Sequence, residues 1–471
     1  MMNIAGTAQA FPMPRTAAAV RGKGLSVVDR WGFLFVACVL ACTGVAFAAG
    51  FTTGLSLLTA IGFLAAAFGL YRPAVGLTGI SILATLDTID RALLFTRGPL
   101  PWNTFNYWLL VVMFLSIIFL FRLNDPQSRL LELLIVVFLF GLLFTPVMED
   151  GMETVLNVVT FFGLLVYFSR NSREESAWFW QAVVAGVVGV AFGLAYYLQK
   201  DLLPEVNANA WAYFPATAIF AICLGFRFAP RKGGGQLILG LLALVNLAWI
   251  FLSGSRGTMI VGSIAMIYMI FSMRSKVLQV SYIVVGALVA TFVVLSFTQL
   301  EGEALHRINK LLDPEQSMVG RTSGRSDLAY GGLLIFLDHP FGVGTGGFTV
   351  AWARMGFRQS LSGYGYGAVR EAHAGWIKVL AENGFIGFLV LVAFTLSFAE
   401  VGWRKRKTRG LLSLGIFVTC LLSLAWISTE FAAKGIWFLS AGATALLNMK
   451  GAAGLPSLPR RRALPAQKGR L

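Results

Sequence analysis

The chain has 471 residues, of which 57% are hydrophobic and 13% charged, with a mean hydropathy of +0.74. A soluble globular protein carries about 25% charged residues, so that class is excluded. Apolar runs of about 17–22 residues recur along the chain and match the length a helix needs to cross a bilayer. The runs are continuously apolar instead of alternating, which excludes a β-barrel. The fold class expected is an all-α integral membrane protein.

The formal net charge of +16 is not the signature of a nucleic-acid partner. The basic residues recur in short loops between apolar runs, where cytoplasmic loops of membrane proteins place them. The four cysteines, Cys38, Cys42, Cys223 and Cys420, all fall within apolar runs. They read as small core residues, with neither a disulfide framework nor metal-ligand spacing.

Residues 1–30 carry Arg15, Arg21, Lys23 and Arg30 without an apolar core, and read as a disordered cytoplasmic tail. The first span, about 31–49, lacks a small-residue cleavage site and is expected to be retained. Further spans are expected near 51–70, 73–93, 104–121, 130–147, 152–169, 177–198, 209–226, 235–253, 258–273, 277–298, 375–399, 411–428 and 431–448, fourteen in all. The organisation is thus a tail (1–30), spans 1–11 (31–298), a loop (299–374), spans 12–14 (375–448) and a basic tail (449–471).

With the N-terminus inside, the loops after even-numbered spans carry Arg72, Arg122 with Arg129, Arg170 with Arg173, Arg227 with Arg231 and Lys232, Arg274 with Lys276, and the cluster Arg404–Arg409. Both termini are then cytoplasmic and the 299–374 loop is extracytoplasmic. Arg91 and Arg97 break the pattern on the outer side, close to Asp87 and Asp90.

The long loop holds or borders all three histidines, His306, His339 and His373. Ser326 can cap a helix over about 327–338, and Pro340 with the glycines before Phe348 stops it. The stretch 360–370, SLSGYGYGAVR, reads equally well as a sugar-stacking segment or as a flexible linker. Arg256 sits at the outer junction of two spans in SGSRGTM (253–259), where its small neighbours leave backbone and guanidinium accessible. An arginine at membrane depth is costly unless something anionic or polar receives it. The alternative is an arginine that snorkels to the interface.

Arg321 and Arg325 precede the loop helix, whose N-terminus already favours an anion. Arginine adds a planar, permanently charged fork suited to phosphate. Arg325 abuts the helix and is the better candidate; the bland reading of either is a solvated loop charge. His373, at the mouth of the next span, is suited to act as a base near neutral pH, against the alternative of an interface histidine. His339 shapes the turn beside Pro340 and is grouped with Arg321 as substrate-binding; His306 reads as solvated. Glu382 lies about nine residues past His373 and so roughly opposite it on the helix. A structural pair with Lys378 is favoured. No zinc-type cluster, P-loop, dinucleotide fingerprint or serine-hydrolase elbow is evident.

Three pieces, SGSRGTM (253–259), GRSDLAYGGLLIFLDHPFGVGTGGF (324–348) and EAHAGWIKVLAENGFIGFL (371–389), resemble in order the elements of the O-antigen ligase and O-antigen polymerase superfamily. The resemblance covers roughly residues 235–400. It implies a glycosyltransferase in the bacterial inner membrane. The donor would be a glycan on undecaprenyl diphosphate, bound on the periplasmic face. The acceptor would be a sugar hydroxyl on another lipid-linked glycan or on lipid A core, and neither cofactor, metal nor nucleotide sugar would be needed. It implies diphosphate contacts for Arg256 and Arg325 and acceptor activation for His373. Ala374 and Ala329 depart from the family pattern, where asparagine and an aromatic residue are usual. These departures bear on how the acceptor is held. The rival reading is a flippase for the same lipid. It would place charges along several spans at mid-membrane depth, whereas here they gather at the outer rim.

Overall fold

The computed structural model describes residues 26–97, 126–157, 168, 174–202, 208–230, 234–253, 255–272, 276–299, 325–355, 372 and 374–404. Among the described residues all regular structure is helical. The expected spans at 104–121, 411–428 and 431–448, most of the one at 152–169, residues 1–25, the basic tail 449–471 and most of the 299–374 loop lie outside them, whereas residues 27–30, expected in the disordered tail, already belong to the first helix.

The first helix, α1 (Val27–Ala49), opens on a capping box. Ser26 Oγ accepts from Asp29 N at 3.1 Å, and Asp29 Oδ2 accepts from Ser26 N at 3.2 Å. Both groups would otherwise be orphaned at a helix start. The second helix, α2 (Phe51–Gly69), follows after Gly50 at φ +99°, a conformation open to glycine. α3 (Pro73–Arg97) packs closely along it, because small residues let the backbones touch. A Cβ on Gly69 would fall on Gly76, and one on Gly79 would meet Ala65 Cβ at 2.6 Å.

The next helices are α4 (Pro126–Gly141), α5 (Met148–Asn157), α6 (Glu175–Gln199), α7 (Ala208–Gly225), α8 (Gly235–Ser253), α9 (Arg256–Ser272) and α10 (Lys276–Gln299). α6 lies at the centre, packed on α1, α3, α7 and α8. Polar side chains inside this bundle bond to backbone. Asn246 Nδ2 donates to Gly186 O at 3.1 Å and to Leu242 O at 2.8 Å, and Gln181 Nε2 donates to Ala221 O at 3.0 Å. Thr43, Ser56, Thr85 and Thr395 each donate to the carbonyl four residues earlier. These bonds keep polar groups satisfied where lipid cannot.

Faces turned away from the bundle are apolar as well: Leu64, Val277 and Leu143 are exposed to 69, 76 and 73%. A protein in water would not display such a surface, whereas a bilayer covers it. Among the described residues, five helical stretches have the length and composition to cross a membrane: Val27–Ala49, Phe51–Gly69, Glu175–Gln199, Gly235–Ser253 and Gly375–Ser397. Pro73–Leu86, Trp211–Gly225, Thr258–Phe271 and Gln279–Leu288 are shorter apolar helices. The chain is a multi-pass membrane protein, all-helical among the described residues.

Beyond α10 come α11 (Arg325–Asp338), the short α12 (Phe348–Arg354) and α13 (Gly375–Arg404). Three local readings shift. The run expected as one span over 130–147 is helical only to Gly141, then passes through a 3-10 turn at Leu142–Phe144 and Pro146. α5 begins at Met148, four residues ahead of the expected 152. α11 begins at Arg325, so Ser326 sits in its first turn instead of capping it.

Candidate active site

α13 is not one continuous helix. Gly384 interrupts it at φ 64°, ψ −163°, which frees the carbonyls of the preceding turn. The glycine-rich turn after α11 takes them up. Val343 N donates to Ala381 O at 3.0 Å and Gly344 N to Glu382 O at 2.9 Å. In return Phe385 N donates to Pro340 O at 3.0 Å. Irregular backbone inside a spanning helix is tolerated only when protein satisfies it in this way. The turn must also approach closely: a Cβ on Gly342 would fall on Glu382 O, and one on Gly384 on Phe341 and Pro340.

The same turn closes the end of α4. Thr345 N donates to Gly141 O at 3.2 Å. The Thr345 hydroxyl lies 2.9 Å from Phe138 O and 2.8 Å from the side-chain amide of Asn383. This explains why α4 stops at Gly141: its last carbonyls are occupied by the loop, and a Cβ on Gly141 would fall on Thr345 Oγ1.

Glu382 provides the side-chain half of the lock. Its Oε1 lies 3.8 Å from Lys378 Nζ, with the two side chains 2 and 5% exposed. The same oxygen accepts from Phe348 N at 3.2 Å, at the start of α12. The expected Lys378–Glu382 pair is therefore present, and it does more than brace one helix face.

α11 lies against α12 and α13 in a small apolar cluster of Leu328, Ile335, Phe348, Trp352, Ala372 and Ala381. Gly331 and Gly332 let it approach, because a Cβ on the first would fall on Trp352 and one on the second on Ile377. Leu328 is three residues past Arg325, and Ala372 immediately precedes His373. The backbone flanking these two candidates thus meets in one cluster. His373 and Arg321 lie outside the described residues, as does the side chain of Arg325.

Arg256 is the first residue of α9, and its side chain lies outside the described part. The turn before it is tied by its own hydroxyls: Ser253 Oγ accepts from Ser255 N at 3.2 Å, and Thr258 Oγ1 donates to Ser255 O at 2.9 Å. α9 packs chiefly on α7, α8 and α10. Its link to Arg325 and His373 rests on the resemblance.

His339 is exposed, just past α11. It lines a cavity of about 780 Å³ bounded by α4, the glycine turn, α12 and α13, with Arg354, Asp338, Glu382 and Asn383 among its polar walls. Val136, Phe140, Phe341 and Ile386 supply apolar wall. Arg354 was not foreseen: a single arginine seven residues past a glycine turn carries no distinguishing pattern. Asp327, in the first turn of α11, has Oδ2 buried without a hydrogen-bond partner among the described residues, and burial raises its carboxyl above the ordinary range.

Residues 239–392 match the family model described as O-antigen ligase. Over this segment the chain is similar to the O-antigen ligase family. The match spans α8 to most of α13 and contains all three resembling elements. No curated protein matches the chain.

Proposed function

We propose that the protein transfers a saccharide from undecaprenyl diphosphate to an acceptor sugar hydroxyl at the periplasmic face of the bacterial inner membrane. The observation that supports this best is the joining of the second and third elements. α11, which begins at Arg325, and α13, which begins just after His373, are packed together where Gly332 lies against Ile377, with Leu328 and Ala372 in the same apolar cluster, and the glycine turn and α12 bond to Glu382. A pairing of phosphate ligand and base needs such a fixed spacing.

In this reading His373 accepts the proton of the acceptor hydroxyl as its oxygen bonds to the anomeric carbon of the donor sugar. The bond from that carbon to the diphosphate oxygen breaks, and undecaprenyl diphosphate leaves with the electron pair. Arg256 and Arg325 hold the diphosphate and offset the charge that develops on it. Arg321 and His339 contact substrate beside them. The charge migrates onto phosphate oxygens already matched by guanidinium, so no resident metal is assigned a step.

Two acceptors fit this chemistry. Transfer to another lipid-linked unit would make the protein a polymerase for O-antigen or exopolysaccharide; transfer to lipid A core would make it a ligase. The test is transfer by purified protein, with chelator present, to each acceptor in separate reactions. Wild type should transfer to one of them, and His373→Ala and Arg325→Ala should lose about 100-fold or more, the range for removing a base or an oxyanion ligand. Folded wild type that transfers to neither, yet moves lipid across proteoliposomes, would replace this reading with a flippase.

A further inference from the structure

The cavity bounded by α4, the glycine turn, α12 and α13 is polar at one end and apolar at the other. Along α13 its wall runs from Glu382 and Asn383 to Ile386, about 4–5 Å further from the helix start. Along α4 it runs from Gly141, the end held by the loop, back to Phe140 and Val136. Val136, Phe140 and Ile386 are 52, 61 and 55% exposed. The apolar half therefore opens sideways, to the lipid that surrounds a spanning helix. The other half carries charge of both signs. Asp338 ends α11 and Arg354 ends α12, and both line the cavity with exposed side chains. Among the described residues neither is in a salt bridge. Glu382, the third charge in the wall, already faces Lys378. Asn383 adds an amide nitrogen that is buried without a hydrogen-bond partner among the described residues, a donor left over for a ligand oxygen. The volume of about 780 Å³ is that of a ligand cavity.

We propose that this cavity binds a zwitterionic phospholipid of the phosphatidylethanolamine kind, with its phosphate on Arg354, its ammonium on Asp338 and an acyl chain along Val136, Phe140 and Ile386. Guanidinium is the planar cation suited to a phosphate. A carboxylate in the same wall receives an ammonium but repels a head that is only anionic, which makes it a selecting group. Ionisable side chains beside lipid are costly unless paired, and one such head pairs both. A free phosphate or a soluble sugar would leave the sideways apolar half without a partner. The site stands independently of the transfer reaction; His339 also lines the cavity, so a bound head group and the substrate would adjoin there.

The test titrates delipidated, purified full-length protein in detergent with phosphatidylethanolamine, phosphatidylglycerol, diacylglycerol and inorganic phosphate, and counts bound ligand by native mass spectrometry. Wild type should bind one phosphatidylethanolamine per chain saturably, about tenfold more tightly than phosphatidylglycerol, with diacylglycerol and phosphate weaker still. R354Q should lose about tenfold or more for both phospholipids, the range for one hydrogen bond to a charged group. D338N should bring phosphatidylglycerol level with phosphatidylethanolamine. Both side chains are exposed, so each variant should unfold at the wild-type temperature without lipid, and the comparison of ligands on wild type needs no variant. Graded binding of every lipid without saturation overturns the proposal, because it describes an ordinary lipid shell. So does diacylglycerol binding as tightly as phospholipid, phosphate binding without a lipid chain, a preference for phosphatidylglycerol, or indifference to R354Q or D338N. Displacement of the phospholipid by lipid-linked oligosaccharide overturns it too, and gives the cavity to the donor. A wild type that transfers no saccharide overturns the transfer reading alone, since these binding outcomes are read without it.

Discussion

At the scale of single residues, two glycines with the same absence of side chain should respond oppositely to alanine. Gly384 sits at φ +64°, and a Cβ there would fall on the backbone of Pro340 and Phe341. Gly384→Ala should cost about 1–3 kcal/mol from the positive-φ conformation alone, with further loss from the clash. The turn would then leave α13, and transfer activity should fall although no charged residue has changed. Gly44 lies within α1 with nothing within 4 Å of a built Cβ. Gly44→Ala should be neutral or stabilising by up to about 1 kcal/mol. Unfolding in detergent micelles measures both. Asp327 adds a pH dependence. Its carboxyl is raised by burial, so the folded state holds its proton more tightly than the unfolded chain. The stability this contributes is present at acid pH and is lost as pH rises through the raised value. Asp327→Asn should flatten that dependence, and it should raise the unfolding temperature at neutral pH more than at pH 4.

Single elements were legible where apolar periodicity and length were the only determinants. Helices α1, α2, α6, α8 and α10 fall within a few residues of the expected spans, because one helix must satisfy its own backbone in lipid. The break at Gly141 was not legible: it depends on a loop about 200 residues later whose Thr345 takes the last carbonyls of α4. The kink at Gly384 was hidden likewise, since ENGF reads as unbroken helix until Pro340 and Val343 arrive. Of the candidate site, the pairing of Glu382 with Lys378 was readable from four-residue spacing, but its bond to Phe348 N was not, because it joins two elements. Another such tie joins α1, α2 and α6. Gln199 Nε2 donates to Ala46 O at 2.9 Å, and its Oε1 accepts from Phe51 N at 3.2 Å. One amide thus satisfies both sides of the Gly50 turn. Gln199→Leu should cost about 1–3 kcal/mol, two hydrogen bonds at their usual net worth. The loss should appear as a lowered unfolding temperature with the helix content of the folded state unchanged.

For the whole molecule, the turn that locks α13 meets it well inside the span. Ala381 and Glu382 are six and seven residues past Gly375, about 9–11 Å along the axis. The segment between α11 and α12 therefore dips among the helices, with Gly344, Thr345 and Gly346 all buried. Combined with the charge alternation of the loops, this yields a labelling pattern. In a chain whose four cysteines are replaced, Ser360→Cys should react with a membrane-impermeant maleimide in intact, outer-membrane-permeable cells. Ser275→Cys, between Arg274 and Lys276, should react only once the inner membrane is opened. Thr345→Cys should resist labelling in both conditions despite lying between two outward segments, because its side chain is 0% exposed and held by α4 and α13. The reverse pattern at Ser360 and Ser275 would put His373 and Arg325 in the cytoplasm, and periplasmic transfer from undecaprenyl diphosphate would have to be abandoned. Ready labelling at Thr345 would leave the orientation standing but remove the re-entrant turn, and with it the structural basis for a fixed spacing between α11 and α13.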